Sequence, residues 1–160
     1  MEHRRNPDPR GLSAPRAEIR LRAVKLLADR EHSRLELGRK LRARAYAAED
    51  VEQVLDALES EGLQSEERFV DVYVGERLRK GFGPSRIRLE LRERGVDDAC
   101  IGERLDLDDS RCLALMEVAD VKRFGVESRK DPKTLAKRAR FLEYRGFPTH
   151  LVARFLDVGS

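Results

Sequence analysis

Residues 141–148 read FLEYRGFP. Leu142, three polar or aromatic residues, Gly146 and then Phe147 have the form of a helix end. A glycine there can turn left-handed and satisfy the last carbonyls, and the large apolar residue behind it folds back on the helix's apolar face. The same phrase stands at 91–96 as LRERGV and, with alanine in the place of glycine, at 41–46 as LRARAY. A chain that ends three helices in one way predicts a repeated unit.

Aligning the phrases on Leu41, Leu91 and Leu142 brings further residues into register. The phrases close on Tyr46, Val96 and Phe147, and five positions later stand Val51, Ile101 and Val152. Leu55, Leu105 and Leu156 follow. The units recur at 50 and then 51 residues, a period in the range of repeat architectures. Each unit reads as three helices. In the first, Ile19, Ala23, Leu26 and Leu27 recur at helical spacing. Ser33 and Glu36 form a capping box for a second helix with Leu37, Leu41 and Ala45 on one face. Val51, Val54, Leu55 and Leu58 make the inner stripe of a third. In the second unit Phe69, Val72 and Tyr73 are the expected core of the opening helix. Gly83 and Pro84 start the next, which turns Ile87 and Leu91 inward. The third has Cys112, Leu115, Met116 and Ala119, a connection RFGVESRKDP at 123–132, and Asp131–Pro132 as a helix start that leads to Leu135 and Ala139. No strand-like alternation competes. The expectation is an all-α fold of three tandem three-helix repeats, at 16–64, 65–109 and 110–158, in an elongated, curved arrangement behind a flexible tail at 1–15. Ala45 is expected to sit in the left-handed region at a strain of about 1 kcal/mol, or else this helix ends differently.

Charged residues make up 39% and aromatics 6% with no Trp, too little bulk for one thick core and too many apolar residues (40%) for disorder. The net charge is only +3, but its sign alternates in blocks. The segment 47–67 holds eight acidic residues and no basic one, and 129–145 holds seven basic against two acidic. Two readings of this stand side by side: one face turned to a polyanion, or solvated helix faces with internal ion pairs. Cys100 and Cys112 lie in no CxxC, so free thiols are expected rather than a disulfide or zinc. No apolar run approaches the roughly 18 residues of a membrane span. The opening residues lack the apolar core of a signal peptide, so the expectation is a cytoplasmic protein, monomeric and away from the membrane.

No catalytic constellation assembles. The histidines are scattered (His3, His32, His150), and GxSxG and GxxxxGK[ST] are both missing. GFGPSR is a turn rather than a dinucleotide fingerprint, and His32 reads as a neighbour of the Ser33 cap. No catalytic residue, cofactor or metal is expected. What remains is a binding surface on the basic middle helices, with Arg34, Arg39, Lys40, Arg42 and Arg44 in the first unit. The candidate contacts are Arg86, Arg88 and Arg92 in the second and Lys133, Lys137 and Arg140 in the third. Arginine and lysine rows hold a nucleic-acid backbone without reading sequence, and the thin aromatic complement (Tyr73, Phe82, Tyr144) implies modest, salt-sensitive affinity.

The ordered set AVKLLADREHSRLELGRKLRARAY, GLQSEERFV, GFGPSRIRLELRERGV and KRARFLEYRGF, from about Ala17 to Val158, resembles the RecX family, the bacterial regulators of the RecA recombinase. The chain departs from the family pattern at Ser65 and Glu66, where paired Asp is usual, and at Ala45, where Gly is usual. The resemblance implies a non-enzymatic protein that lies in the groove of the RecA filament on single-stranded DNA. It implies inhibition of RecA ATPase, strand exchange and co-protease activity, and so a brake on recombination, DNA repair and the SOS response. Two other readings of the residues stay open: a helix-turn-helix-like DNA-binding regulator and a helical scaffold for another protein.

Overall fold

The structure, a computed structural model, describes residues 11–126 and 131–157. Nine α-helices and no strands make up the described residues: α1 (Ala14–Asp29), α2 (Arg34–Arg42), α3 (Ala48–Ser60), α4 (Glu66–Arg79), α5 (Pro84–Glu93), α6 (Asp98–Arg104), α7 (Asp109–Phe124), α8 (Pro132–Tyr144) and α9 (Thr149–Phe155). The fold is all-α, as the spacing predicts. α1 already begins within the stretch expected as tail. Residues 1–10 of that tail, and 127–130 of the connection before α8, lie outside the described residues. The chain packs as two compact units, Met1–Phe69 and Val70–Ser160.

The helix starts follow the sequence closely. Ser33 accepts the Glu36 amide while Glu36 reaches back to the Ser33 amide, completing the capping box. Asp131 accepts the Thr134 amide ahead of Pro132, and Ser65 accepts the Arg68 amide ahead of α4. Asp97 and Asp108 cap α6 and α7 in the same way, two caps that the spacing argument passes over.

The helix ends answer the repeated phrase. At the end of α5, Gly95 donates to Arg92 and Val96 to Leu91, and at the end of α8, Gly146 donates to Glu143 and Phe147 to Leu142. These are the paired bonds of a Schellman motif, and both glycines have positive φ. The same pairing closes α3 through Gly62 and Leu63, and α4 through Gly81 and Phe82. Ala45 stands at φ 61° behind α2, left-handed without the freedom of glycine.

In the first unit α1, α2 and α3 pack on one another around Ile19, Ala23, Leu37, Leu41, Val51, Val54, Leu55 and Leu58. Leu26, Leu27 and Tyr46 close its margin, and Ala45, expected on the inner face of α2, is exposed. In the second unit α7, α8 and α9 pack around Cys112, Met116, Ala119, Leu142, Phe147, Leu151, Val152 and Leu156. Ahead of them Val70, Val74, Ile87, Leu91, Val96, Ile101 and Leu105 are buried. Here one expectation needs correction. Val72 is 53% exposed, and Val70 and Val74 are buried in its place. Apolar residues take every position of 69–74 except Asp71, so the spacing of Phe69, Val72 and Tyr73 does not define a unique inner face.

One junction inside the second unit joins the start of α5 to the end of α8. The Gly83 amide donates to the Arg145 carbonyl at 2.7 Å, and the Ser85 amide to the Gly146 carbonyl at 2.9 Å. The unpaired amides at the start of α5 thus meet the unpaired carbonyls at the end of α8, each completing the other. Only glycine fits on both sides. A Cβ on Gly83 would stand 2.5 Å from the Gly146 carbonyl carbon, and one on Gly146 would stand 2.6 Å from the Arg86 nitrogen.

Candidate nucleic-acid interface

The charge blocks resolve differently in the two units. In the first, two cations of the basic middle helix, Arg34 and Arg42, are neutralised from within, while Arg39, Lys40 and Arg44 are exposed and in no ion pair among the described residues. Arg34 bonds Glu59 at 2.7 Å, Glu52 at 2.9 Å and Asp56 at 2.6 Å, and Arg42 bonds Glu52 at 3.0 Å. Partial burial works against the Arg34 charge, yet the Asp56, Glu52 and Glu59 carboxylates together raise its pKa above the ordinary arginine value. The acidic face of α3 is therefore the counterion of Arg34 and Arg42, the internal-pair reading of the charge blocks for these two residues.

In the second unit α8 carries cations outside any ion pair among the described residues, with the Asp131 cap carboxylate acting on Lys137 only at longer range. Lys133, Lys137 and Arg140 are exposed, and among the described residues none of the three is in an ion pair. Steps of four and three residues place them on one face of the helix, and a further step of four reaches Tyr144. Tyr144 is 74% exposed. The Arg86 guanidinium lies over its ring at 5.0 Å and donates to its carbonyl at 3.3 Å. Arg86 therefore adjoins the end of the α8 row, although 58 residues separate it from Tyr144 in sequence.

Arg86 is also braced from below. Its Nε donates to Glu90 at 3.1 Å, and its guanidinium lies 4.5 Å from the Phe82 ring centre. Glu90 accepts from Tyr73 at 2.7 Å and from Arg77 Nε at 2.8 Å. Burial favours the neutral acid at Glu90, but bonds from Arg77, Tyr73 and Arg86 win and lower its pKa. Burial and the Glu90 contact push the Tyr73 phenol up to about 12. Arg77 and Arg145 lie over the Phe82 ring at 3.8 and 4.7 Å, and Arg145 donates to the Lys80 carbonyl at 3.0 Å. This cluster ties α4, α5 and the end of α8 together and holds Arg86 in place against Tyr144.

The six expected contacts therefore fall into two groups. Lys133, Lys137, Arg140 and Arg86 converge on one run of surface with Tyr144. Arg88 and Arg92 stand elsewhere on α5, since two residues turn a helix by about 200°. Arg88 is half-buried, and Arg92 is paired to Asp98 at 2.6 Å. Arg138, one of the seven basic residues of 129–145, is not a surface cation, and nothing local in the sequence marks its burial. Arg138 is 2% exposed and bonds Asp120, itself fully buried, at 2.9 Å. It belongs to the core, and four residues before Leu142 it fills the place that Leu37 and Ile87 hold four residues before Leu41 and Leu91. Among the described residues no group of His, Cys, Asp and Glu is placed to hold a metal ion, and no helix is long and apolar enough to cross a membrane.

Comparison with known proteins bears on what this surface serves. Residues 20–58 match the family description "RecX, first three-helix domain", and residues 65–105 match "RecX, second three-helix domain". "Regulatory protein RecX" of Pseudomonas entomophila (strain L48) is 41% identical over 139 residues, 87% of this chain and 90% of the relative. The chain belongs to the RecX family. The RecX protein of Pseudomonas syringae pv. tomato (strain DC3000) is 40% identical over 149 residues, 93% of this chain and 96% of the relative. The crystal structure of RecX from Lactobacillus salivarius shares the fold at a TM-score of 0.73, 20% identity, and coverage of 91% of this chain and 97% of that one. The two matched RecX domains correspond to α1–α3 and α4–α6, so the α8 row lies beyond both matches. In this RecX-family chain the Ser65 and Ala45 departures are absorbed locally, by a working serine cap and by a single left-handed alanine.

Proposed function

We propose that this chain is a non-enzymatic regulator of RecA that binds the RecA filament on single-stranded DNA in the cytoplasm and restrains ATP hydrolysis, strand exchange and co-protease activity, and with them the SOS response. The observation that carries the proposal is the row Lys133, Lys137, Arg140, free of ion pairs among the described residues, ending at exposed Tyr144 under Arg86. Membership of a family whose relatives are named regulatory proteins supports it. The row runs about 10 Å along the helix, so its three cations can each meet a phosphate of one strand. Lysine and arginine there position the strand without reading bases, and Tyr144 supplies one stacking face. Arg88 and Arg92 offer a second, lesser contact, because Arg92 already has Asp98 as its counterion.

The test is DNA-dependent ATP hydrolysis by RecA on single-stranded DNA with this protein added. Inhibition at sub-stoichiometric amounts is expected. No effect at molar excess would end the proposal, and a sequence-specific footprint on duplex DNA would favour a helix-turn-helix regulator instead.

A further inference from the structure

The second unit holds a cavity of about 280 Å³ separate from the α8 row, bounded by the end of α4, one side of α7 and the Phe141–Arg145 turn of α8. Its walls combine two chemistries. Leu115, Val118 and Phe141 make an apolar floor, and Val118 is 67% exposed, a β-branched side chain left in water on a helix face. Arg79, Lys122 and Arg123 stand at the rim, exposed, and among the described residues none of them is in an ion pair. Lys80 adds a fourth charge, paired only to its helix neighbour Glu76. No carboxylate lines the cavity among the described residues. Three cations outside any ion pair among the described residues, set beside an apolar floor, are complementary to a ligand that is apolar at its centre and anionic at its edges.

We infer that this cavity is a docking site for an acidic peptide segment of a protein partner, with one leucine-sized side chain on the Leu115–Val118–Phe141 floor and flanking carboxylates on Arg79, Lys122 and Arg123. The size fits: the volume lies at the lower limit of small-molecule pockets, about 300 Å³, and suits one side chain rather than a cofactor. The floor argues against a nucleic acid. Single strands are held by open aromatic faces, and here Phe141 is covered by Arg145 at 5.1 Å and meets Phe124 edge-on at 5.4 Å. Of Phe124, Phe141 and Tyr144, the accessible aromatic is Tyr144, 74% exposed with Arg86 over one face, and it lies outside the cavity.

The probe is a dye-labelled octapeptide with two central leucines flanked by Asp-Glu pairs, followed by fluorescence anisotropy on the full chain. Neither RecA nor DNA is present, so the result stands apart from that of filament inhibition. Saturable binding is expected, weakened about tenfold or more when serines replace the leucines, by Val118→Glu, and by Lys122→Glu with Arg123→Glu. The serine peptide needs no change in the protein, so a misfolded variant cannot decide the outcome. Absence of saturable binding, equal binding of the serine peptide, or displacement of the leucine peptide by an equal concentration of oligothymidylate would each overturn the inference.

Discussion

Arg138 on α8 donates to Asp120 on α7 at 2.9 Å, with both side chains out of solvent. A buried ion pair contributes little net stability when intact, because desolvation offsets attraction, but removal of one partner strands the other charge at about 3–5 kcal/mol. Asp120→Asn and Arg138→Met are each expected to lower the urea midpoint strongly. The double variant Asp120→Leu with Arg138→Met is expected to recover most of the loss. A double variant as unstable as the sum of the two singles would mean that the pair is not coupled.

Ala45 gives the opposite sign. Its φ of 61° carries a left-handed penalty that glycine lacks, and the residue is exposed, so no packing is lost. Relief of about 1–2 kcal/mol, less the greater unfolded-state freedom of glycine at about 0.4–1 kcal/mol, leaves a gain. Ala45→Gly is expected to raise the midpoint of urea unfolding, and a lowered midpoint would contradict the left-handed assignment.

Two left-handed glycines separate conformational strain from close approach. Gly62 has φ 74° and open space around it, while Gly146 has φ 97° with the backbone of Arg86 in the place where a methyl would go. Gly62→Ala is expected to cost about 1 kcal/mol from backbone strain alone. Gly146→Ala must also part the start of α5 from the end of α8, a loss beyond about 3 kcal/mol. Thermal melts of the two variants under one condition provide the comparison.

His32 predicts a pH dependence confined to the first unit. Its ring is buried, Nδ1 lies 3.0 Å from the Arg30 carbonyl, and Nε2 lies 3.0 Å from Lys40 Nζ. The neutral ring with the proton on Nδ1 donates to the carbonyl and accepts from the lysine. Burial first, then the nearby Arg30 and Lys40 charges, lower its pKa, against the Arg30 carbonyl bond and Glu36, which raise it. The folded state thus disfavours the protonated ring. Its contribution is complete above the ordinary histidine value of about 6.5 and is lost as pH falls below it, by at most about 1.4 kcal/mol per pH unit. Urea unfolding at pH 7.5 and pH 5.5 is expected to show this decline, and His32→Gln to flatten it.

What the sequence made legible was local. Caps at Ser33, Gly83 and Asp131 and the ends at Gly95 and Gly146 depend on residues a few positions apart, and all took their expected places. The aligned Val51, Ile101 and Val152 are all buried, because a repeated helix geometry turns the same phase inward each time. What escaped depends on partners distant in the chain. Arg138 looks like any member of a basic run until Asp120 is placed beneath it. Arg34 looks available until α3 presents three carboxylates to it. Arg86 looks like a companion of Arg88 until the α8 end brings Tyr144 against it. Spacing identifies which residues share a helix face, but not what the neighbouring helix sets against that face.

That difference between occupied and unoccupied cations yields the last prediction. Arg34→Glu breaks three internal ion pairs and places a carboxylate beside Glu52, Asp56 and Glu59, so the expected loss is in the stability of the first unit. Lys133→Glu with Lys137→Glu and Arg140→Glu breaks no ion pair among the described residues, so helicity and melting temperature are expected to stay close to those of the parent. Its effect belongs to binding. Three phosphate contacts contribute about 2 to the slope of log affinity against log salt on a single strand, at roughly 0.7 per phosphate. The triple variant is therefore expected to lose that part of the slope and to inhibit RecA ATP hydrolysis less. Arg88→Glu with Arg92→Glu is expected to have a smaller effect, since Asp98 already holds Arg92. Filament inhibition and salt slope unchanged in the triple variant, with the fold intact, would remove the α8 row from the interface.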